Sequence, residues 1–172
     1  GAHRGGGPSA RTLWVKGGVG GIRSPHGTAY APEADTVFGS DESGEAAVVI
    51  DARTGKKLST IELGGEAGNT HYDSVSHCIL VAVQTKNQMV AIDPIGEKIV
   101  QRYDLPGSDH PHGFTIDDPD RLAFISCAGN GALTVLDLRS INPVQTLQPP
   151  ADPAAPAGDP AWRGRSDPAL AG

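Results

Sequence analysis

Short apolar runs recur along the middle of the chain, each closed off by a cluster of Gly, Pro, Asp, Asn or Thr. Examples are TVFGS and AAVVID, then ILVAV and QMVAID, then LAFIS and ALTVLD. The runs are rich in Val, Ile, Thr and Phe and too short for helices, so they predict β-strands joined by tight turns. Where polar residues interleave, the period is two. Ile99, Gln101, Tyr103 and Leu105 fall on one expected strand face, and Val100, Arg102 and Asp104 on the other. The runs AAVVID and ILVAV are nearly continuous, the pattern of strands covered on both faces. No stretch shows the 3.6-residue period of an amphipathic helix.

The runs belong to a repeat. Tyr30 to Asp51, Tyr72 to Asp93 and Ile116 to Asp137 each span 21 residues, and Asp51 to Ile61, Asp93 to Tyr103 and Asp137 to Leu147 each span 10. Between units the spacing changes, from 11 (Ile61 to Tyr72) to 13 (Tyr103 to Ile116). Length variation confined to the connectors is expected if units are strands in register and connectors are surface loops. Four antiparallel strands in about 40–45 residues is the period of a β-propeller blade. The expected fold is all-β: a partial β-propeller of three four-stranded antiparallel blades at about residues 26–64, 68–106 and 112–148. An extra N-terminal strand from an earlier blade is expected in TLWVKGG, with GGVGGIRSP leading into the first unit. In the third unit LDLRSINP replaces the Thr-Gly turn, and Pro143 is expected to begin a strand, where it needs no hydrogen-bond donor.

Composition sharpens the ends of this picture. Of 172 residues, 23 are Gly and 14 are Pro, in keeping with many turns. Residues 1–11 and the Pro- and Ala-rich stretch 149–172 have no apolar period and are expected to be disordered, leaving 12–148 as the propeller segment. No apolar run approaches the ~20 residues of a membrane helix, and GAHRGGGPSA has no signal-peptide core. The net charge of −6 argues against a general nucleic-acid footprint. The low aromatic content, 5%, argues against base stacking, with Tyr30, Tyr72 and Tyr103 expected to pack within strands. Cys78 and Cys127 match no metal or redox spacing and are expected to be buried free thiols.

The stretch VVIDARTGKKLSTIELGG resembles the YVTN-type propeller repeat, in which a strand ends at Asp and turns through Thr-Gly into the outer strand. GNTHYD, VAVQTKNQMVAIDP and DHPHGFTID are similar to the YncE-like branch of that family. The resemblance runs from about His26 to Leu147. It implies a propeller and a periplasmic or secreted location. Relatives implied by it include binding proteins and the cofactor-bearing domains of quinoprotein and haem enzymes, and a fold alone does not choose among them.

The connectors between units and the loops between second and third strands emerge on one propeller face. That face collects His26, Asn69, His110 and His112 from the connectors, and Asp41, Glu42, Gln84, Lys86, Asn87 and Asn130 from the loops. His26 and His112 hold the same repeat position, where the middle unit has Gly68. His26 with His110-Pro111-His112 is the sharpest metal or cofactor candidate, since imidazole is a common metal ligand. Against it, units one and three are not neighbours, which predicts histidines separated across the channel, and no carboxylate has metal spacing. The expectation is no metal and no cofactor, with the histidines bonding connectors or lining a ligand pocket. Asp51, Asp93 and Asp137 end the third strands and are expected to cap backbone N–H groups of the next turn. GGVGG precedes no helix and so is not a phosphate loop. No G-x-S-x-G elbow and no C-x-x-C-H haem motif occurs.

These residues point to a non-enzymatic binding or scaffold module for a small molecule or protein, with no catalytic residue. One rival is a piece of a quinoprotein- or haem-type oxidoreductase propeller. Another is a single-stranded DNA-binding propeller. Full propellers carry about 4–8 blades. Three would leave two apolar faces needing cover, from further blades of a parent chain or from self-association.

Overall fold

A computed structural model describes residues 18–140 and 143–148, with the backbone alone at 143 and 144. The expectations for residues 1–11, for the Thr12–Gly18 strand up to residue 17 and for 149–172 lie outside these described residues. Among the described residues, twelve strands form three antiparallel sheets, each in simple up-and-down order. The first holds β1 (Pro25–Ala31), β2 (Thr36–Asp41), β3 (Ala46–Asp51) and β4 (Lys57–Glu62). The second holds β5 (Ala67–Asp73), β6 (Cys78–Val83), β7 (Gln88–Asp93) and β8 (Lys98–Asp104). The third holds β9 (Pro111–Asp117), β10 (Leu122–Cys127), β11 (Leu133–Asp137) and β12 (Pro143–Leu147). One 3₁₀ turn, Gln84–Lys86, is the sole helical element among the described residues. The chain is all-β and forms part of a β-propeller, with Pro143 opening the last strand.

The turns repeat as faithfully as the strands. Asp35, His77 and Arg121 hold equivalent positions before each second strand, and all have positive φ, 48°, 55° and 55°. Glu45, Asn87 and Gly131 form a second such set, and Gly55 and Glu97 a third. Only some of these are Gly or Asn, the residues that enter the left-handed region readily. Asp51 Oδ1 accepts from the N–H groups of Arg53 and Thr54 at 3.1 and 2.6 Å. Asp93 accepts from Ile95 N–H at 3.0 Å and Asp137 from Arg139 N–H at 2.8 Å. These are the turn caps expected of them.

Each outer strand carries a bulge, at Leu58, Val100 and between Pro143 and Gln145, where the register skips one residue. The bulge overturns one expected face. A single inserted residue reverses the side-chain alternation beyond it. Ile99 therefore packs against the seam between sheets one and two, while Tyr103 and Leu105 join the seam between sheets two and three.

The sheets stack face to face, and along the inner edge β5 packs against β1 on one side and β9 on the other. Phe38, Val49 and Leu63 meet Ile79, Val81, Val83 and Ile92 in the first seam. Leu80, Met89 and Tyr103 meet Phe114, Ile125 and Leu136 in the second. The continuous run of β6 is explained: alternate residues serve opposite seams. Val48 and Ile50, on the face of β3 turned from the second sheet, are also buried, as the continuous run AAVVID predicts. One other expectation fails: Tyr30 is 49% exposed rather than packed. On the third sheet Leu133 is exposed beside half-buried Phe124 and Val135. Both cysteines are free; Cys127 is buried and Cys78 partly exposed.

Candidate functional site

The connector end of each inner strand is irregular in the same place. The β1 register slips between Pro25 and Thr28, the β5 register between Ala67 and Thr70, and the β9 register between Pro111 and Gly113. Such bulges turn a side chain out of the regular pleat, and they fall on His26, Gly68 and His112. Two serines brace them: Gly27 N–H donates to Ser40 Oγ at 2.8 Å, and Ser126 Oγ donates to Gly113 O at 2.9 Å.

Glycine sets the spacing between sheets. A Cβ on Gly27 would lie 2.3 Å from Thr70 N, and one on Gly68 would lie 3.0 Å from His112 O. The inner strands thus approach backbone to backbone. With no side chain at Gly68 between them, the His26 and His112 rings meet edge to face, centroids 5.1 Å apart and planes at 78°. The expected separation across the channel is therefore incorrect. It assumed that a middle blade keeps its neighbours apart, whereas at the narrow inner edge a glycine lets them touch.

A carboxylate joins them. Glu42 and Gln84 occupy equivalent positions just after β2 and β6, where their N–H groups donate to Ser24 O and Glu66 O at 2.9 and 2.8 Å. Glu42 Oε1 accepts from Gln84 Nε2 at 3.0 Å. Its Oε2 accepts from Ser24 Oγ at 3.0 Å and lies 3.1 Å from His26 Nε2. The hydrogen bonds from Gln84 and then Ser24 hold the carboxyl below its ordinary range. One ligating atom each from His26, Glu42 and His112 lies within 4.8 Å of the others. The His26 and Glu42 side chains are each 29% exposed, so the group faces solvent, while Gln84 beneath it is buried. Asn69 sits beside it, Nδ2 3.7 Å from the point where Gly113 would carry a Cβ. Its amide forms no side-chain hydrogen bond among the described residues.

The other candidates serve the connectors. Asp41 Oδ1 accepts from the N–H groups of Arg23, Ser24 and Gly44 at 3.1, 2.9 and 3.2 Å. Burial pushes that carboxyl up, but the three N–H donors outweigh it and its pKa falls. Asn87 Oδ1 accepts from His110 N–H at 3.0 Å, tying the second sheet to the third. The His110 ring pairs with Asp109 at 2.8 Å and is not part of the His26–Glu42–His112 group. Asn130 Nδ2 donates to Gly107 O at 2.9 Å. Lys86 is exposed on the 3₁₀ turn. Glu42 is expected on this face from its place in the repeat, with no partner assigned to it. The available signal was its equivalence to Gln84, one unit on.

At the opposite end of the sheets a cavity of about 500 Å³ is lined by Glu33, His77, Cys78, Asp93, Ile95 and Val100. Burial pushes the Cys78 thiol up, which disfavours the nucleophilic thiolate there.

No protein-family model matches the sequence, and no curated protein matches it. Among solved structures, hydrazine synthase of Kuenenia stuttgartiensis is similar over 84% of this chain and 40% of that chain, at 18% identity and a TM-score of 0.65. A dihydro-heme d1 dehydrogenase, NirN, in complex with DHE is similar over 66% of this chain and 25% of that one, at 22% identity and a TM-score of 0.57. At these identities the likeness is one of fold. The chain spans under half the length of either of those chains.

Proposed function

We propose that this chain is a non-enzymatic binding module whose ligand seats on the connector face against His26, Glu42, Asn69 and His112. The observation that carries the reading is convergence. Residues from all three sheets meet at one solvent-facing point, with two imidazoles and one carboxylate, and the Asn69 amide beside them. Polar groups converging in this way are what a small polar ligand needs. The YVTN-type, YncE-like resemblance supports a module of this kind and a periplasmic or secreted setting. The remaining partners would be further blades, from a longer parent chain or a second copy.

The test is a backbone amide NMR titration of the chain with phosphate, citrate and glucose in turn. Binding on this face shifts the resonances of residues 26, 42, 69 and 112. Shifts gathered instead at the turns after Asp51 and Asp93, or no shift with any probe, would sink the reading.

A second reading has one specific support. A protein of similar fold is described as a dihydro-heme d1 dehydrogenase, and a single imidazole such as that of His112 is a haem-iron ligand in kind. On that reading the chain is part of a cofactor-bearing oxidoreductase propeller. Adding haemin then produces a visible-band shift that disappears in His112→Ala; an unchanged spectrum removes it.

A further inference from the structure

We infer that His26, Glu42 and His112 form a three-ligand site for a divalent transition-metal ion of the zinc type, with Gln84 and Ser24 orienting the carboxylate. The inference rests on the reading of the connector face as the binding face, and names a ligand for it.

The donor set comes first. Two imidazole nitrogens and one carboxylate oxygen are borderline donors suited to zinc and its divalent neighbours. Calcium and magnesium prefer all-oxygen shells, and nothing at this point offers one. Geometry comes second. Zinc bonds to nitrogen and oxygen are about 2.0–2.2 Å, which sets neighbouring donor atoms of a tetrahedron about 3.3–3.5 Å apart. His26 Nε2 and Glu42 Oε2 already stand 3.1 Å apart, and the full set lies within 4.8 Å. Side-chain rotation closes the remainder, because sheet one already approaches sheet two at Gly27, sheet two approaches sheet three at Gly68, and the two imidazole rings are in contact.

The third line is the support around the ligands. Metal-bound carboxylates are held by further hydrogen bonds that orient them. Glu42 has two, from Gln84 Nε2 on one oxygen and Ser24 Oγ on the other. Gln84 is 6% exposed and contributed by the middle sheet. All three sheets therefore take part: the outer two supply ligands and the middle one fixes the carboxylate. The repeat makes the division of labour visible. Where sheets one and three have imidazoles, sheet two has Gly68; where sheet one has the carboxylate, sheet three has Ala128. Three protein ligands facing solvent leave a coordination position for an exchangeable molecule, which Asn69 adjoins. A closed structural site would hold four.

The test is titration of the full chain, carried without an affinity tag and with His3→Ala, by Zn²⁺ in calorimetry and by Co²⁺ in visible absorption. One equivalent should bind, with Co²⁺ giving ligand-field bands in the visible. His112→Gln and Glu42→Gln should each weaken binding by about tenfold or more, and Gln84→Ala by a smaller factor. Zn²⁺ should raise the Tm of the parent and not that of His112→Gln; the metal-free Tm of each variant reports whether it folds. Binding unaltered in both ligand variants, or lost only in His110→Ala, would overturn the site and leave a plain imidazole–carboxylate hydrogen bond. If neither Zn²⁺ nor Co²⁺ binds while phosphate, citrate or glucose still shifts residues 26, 69 and 112, the metal falls and the binding face stands. If neither probe acts there, both fall.

Discussion

Arg121 shows how much one residue can carry between sheets. Its guanidinium donates to both oxygens of Asp73, at 2.7 and 2.6 Å, in a fork that joins the third sheet to the second. The side chains are 13% and 2% exposed. Burial pushes the Asp73 carboxyl up. The Arg121 guanidinium, the Ser76 hydroxyl and the Val75 N–H outweigh it and hold the carboxyl at about 2. The folded pKa lies below the unfolded value near 3.9. The contribution is therefore complete above about pH 4 and is lost as pH falls toward 2. It is worth roughly 2–3 kcal/mol before solvent screening. Arg121→Met should cost about 3 kcal/mol, because it strands a buried charge. In urea titrations at pH 7 the variant should unfold earlier, and the gap from the parent should narrow at pH 2–3. A constant gap across that range would mean that Asp73 does not depend on Arg121.

At the scale of the strand, glycine and the bulge act together. β1 can lie against β5 only because position 27 lacks a side chain, and the bulge there is what turns His26 outward. Gly27→Ala would put a methyl group 2.3 Å from Thr70 N, a backbone atom that cannot swing aside. The expected loss is about 1–3 kcal/mol, as for overpacking elsewhere, read as a lower urea midpoint at unchanged slope. Gly39→Ala is the control within the same sheet. Its added methyl would meet only Thr28 Cγ2 at 3.9 Å and Ile50 Cδ1 at 4.0 Å, so stability should stay close to the parent. Equal losses at both positions would show that flexibility rather than close approach sets the cost.

For the molecule as a whole, the three sheets are not equivalent. The middle one is apolar on both faces and belongs to both seams. The third has Leu133 at 38% exposure with Phe124 and Val135 half-buried around it. A sheet face of that character tends to be covered. Sedimentation velocity should show the weight-average coefficient rising with protein concentration, and Leu133→Lys should flatten the rise. Coefficients that coincide for the two proteins at every concentration would exclude this face as the contact.

The strands, their order and the turn caps were legible along the chain, because each is a local matter. Alternation, Asp51 with Thr54 and Gly55, and Pro143 at a strand start are all settled within a few residues. The equal spacings carried the stacking too, since a face apolar in every unit has to be buried against the next. Three things were not legible. Ile99 changes seam because Val100 is an extra residue in the register, which becomes visible only against the partner strand. His26 and His112 stand 86 residues apart in sequence, and the meeting of their rings depends on how closely three backbones approach at Gly27 and Gly68. Glu42 gains its role from Gln84, one sheet away. Local chemistry thus determined the blades, and tertiary packing decided the site, because side chains from separate repeats share a point in space only after sheets have stacked to a definite distance.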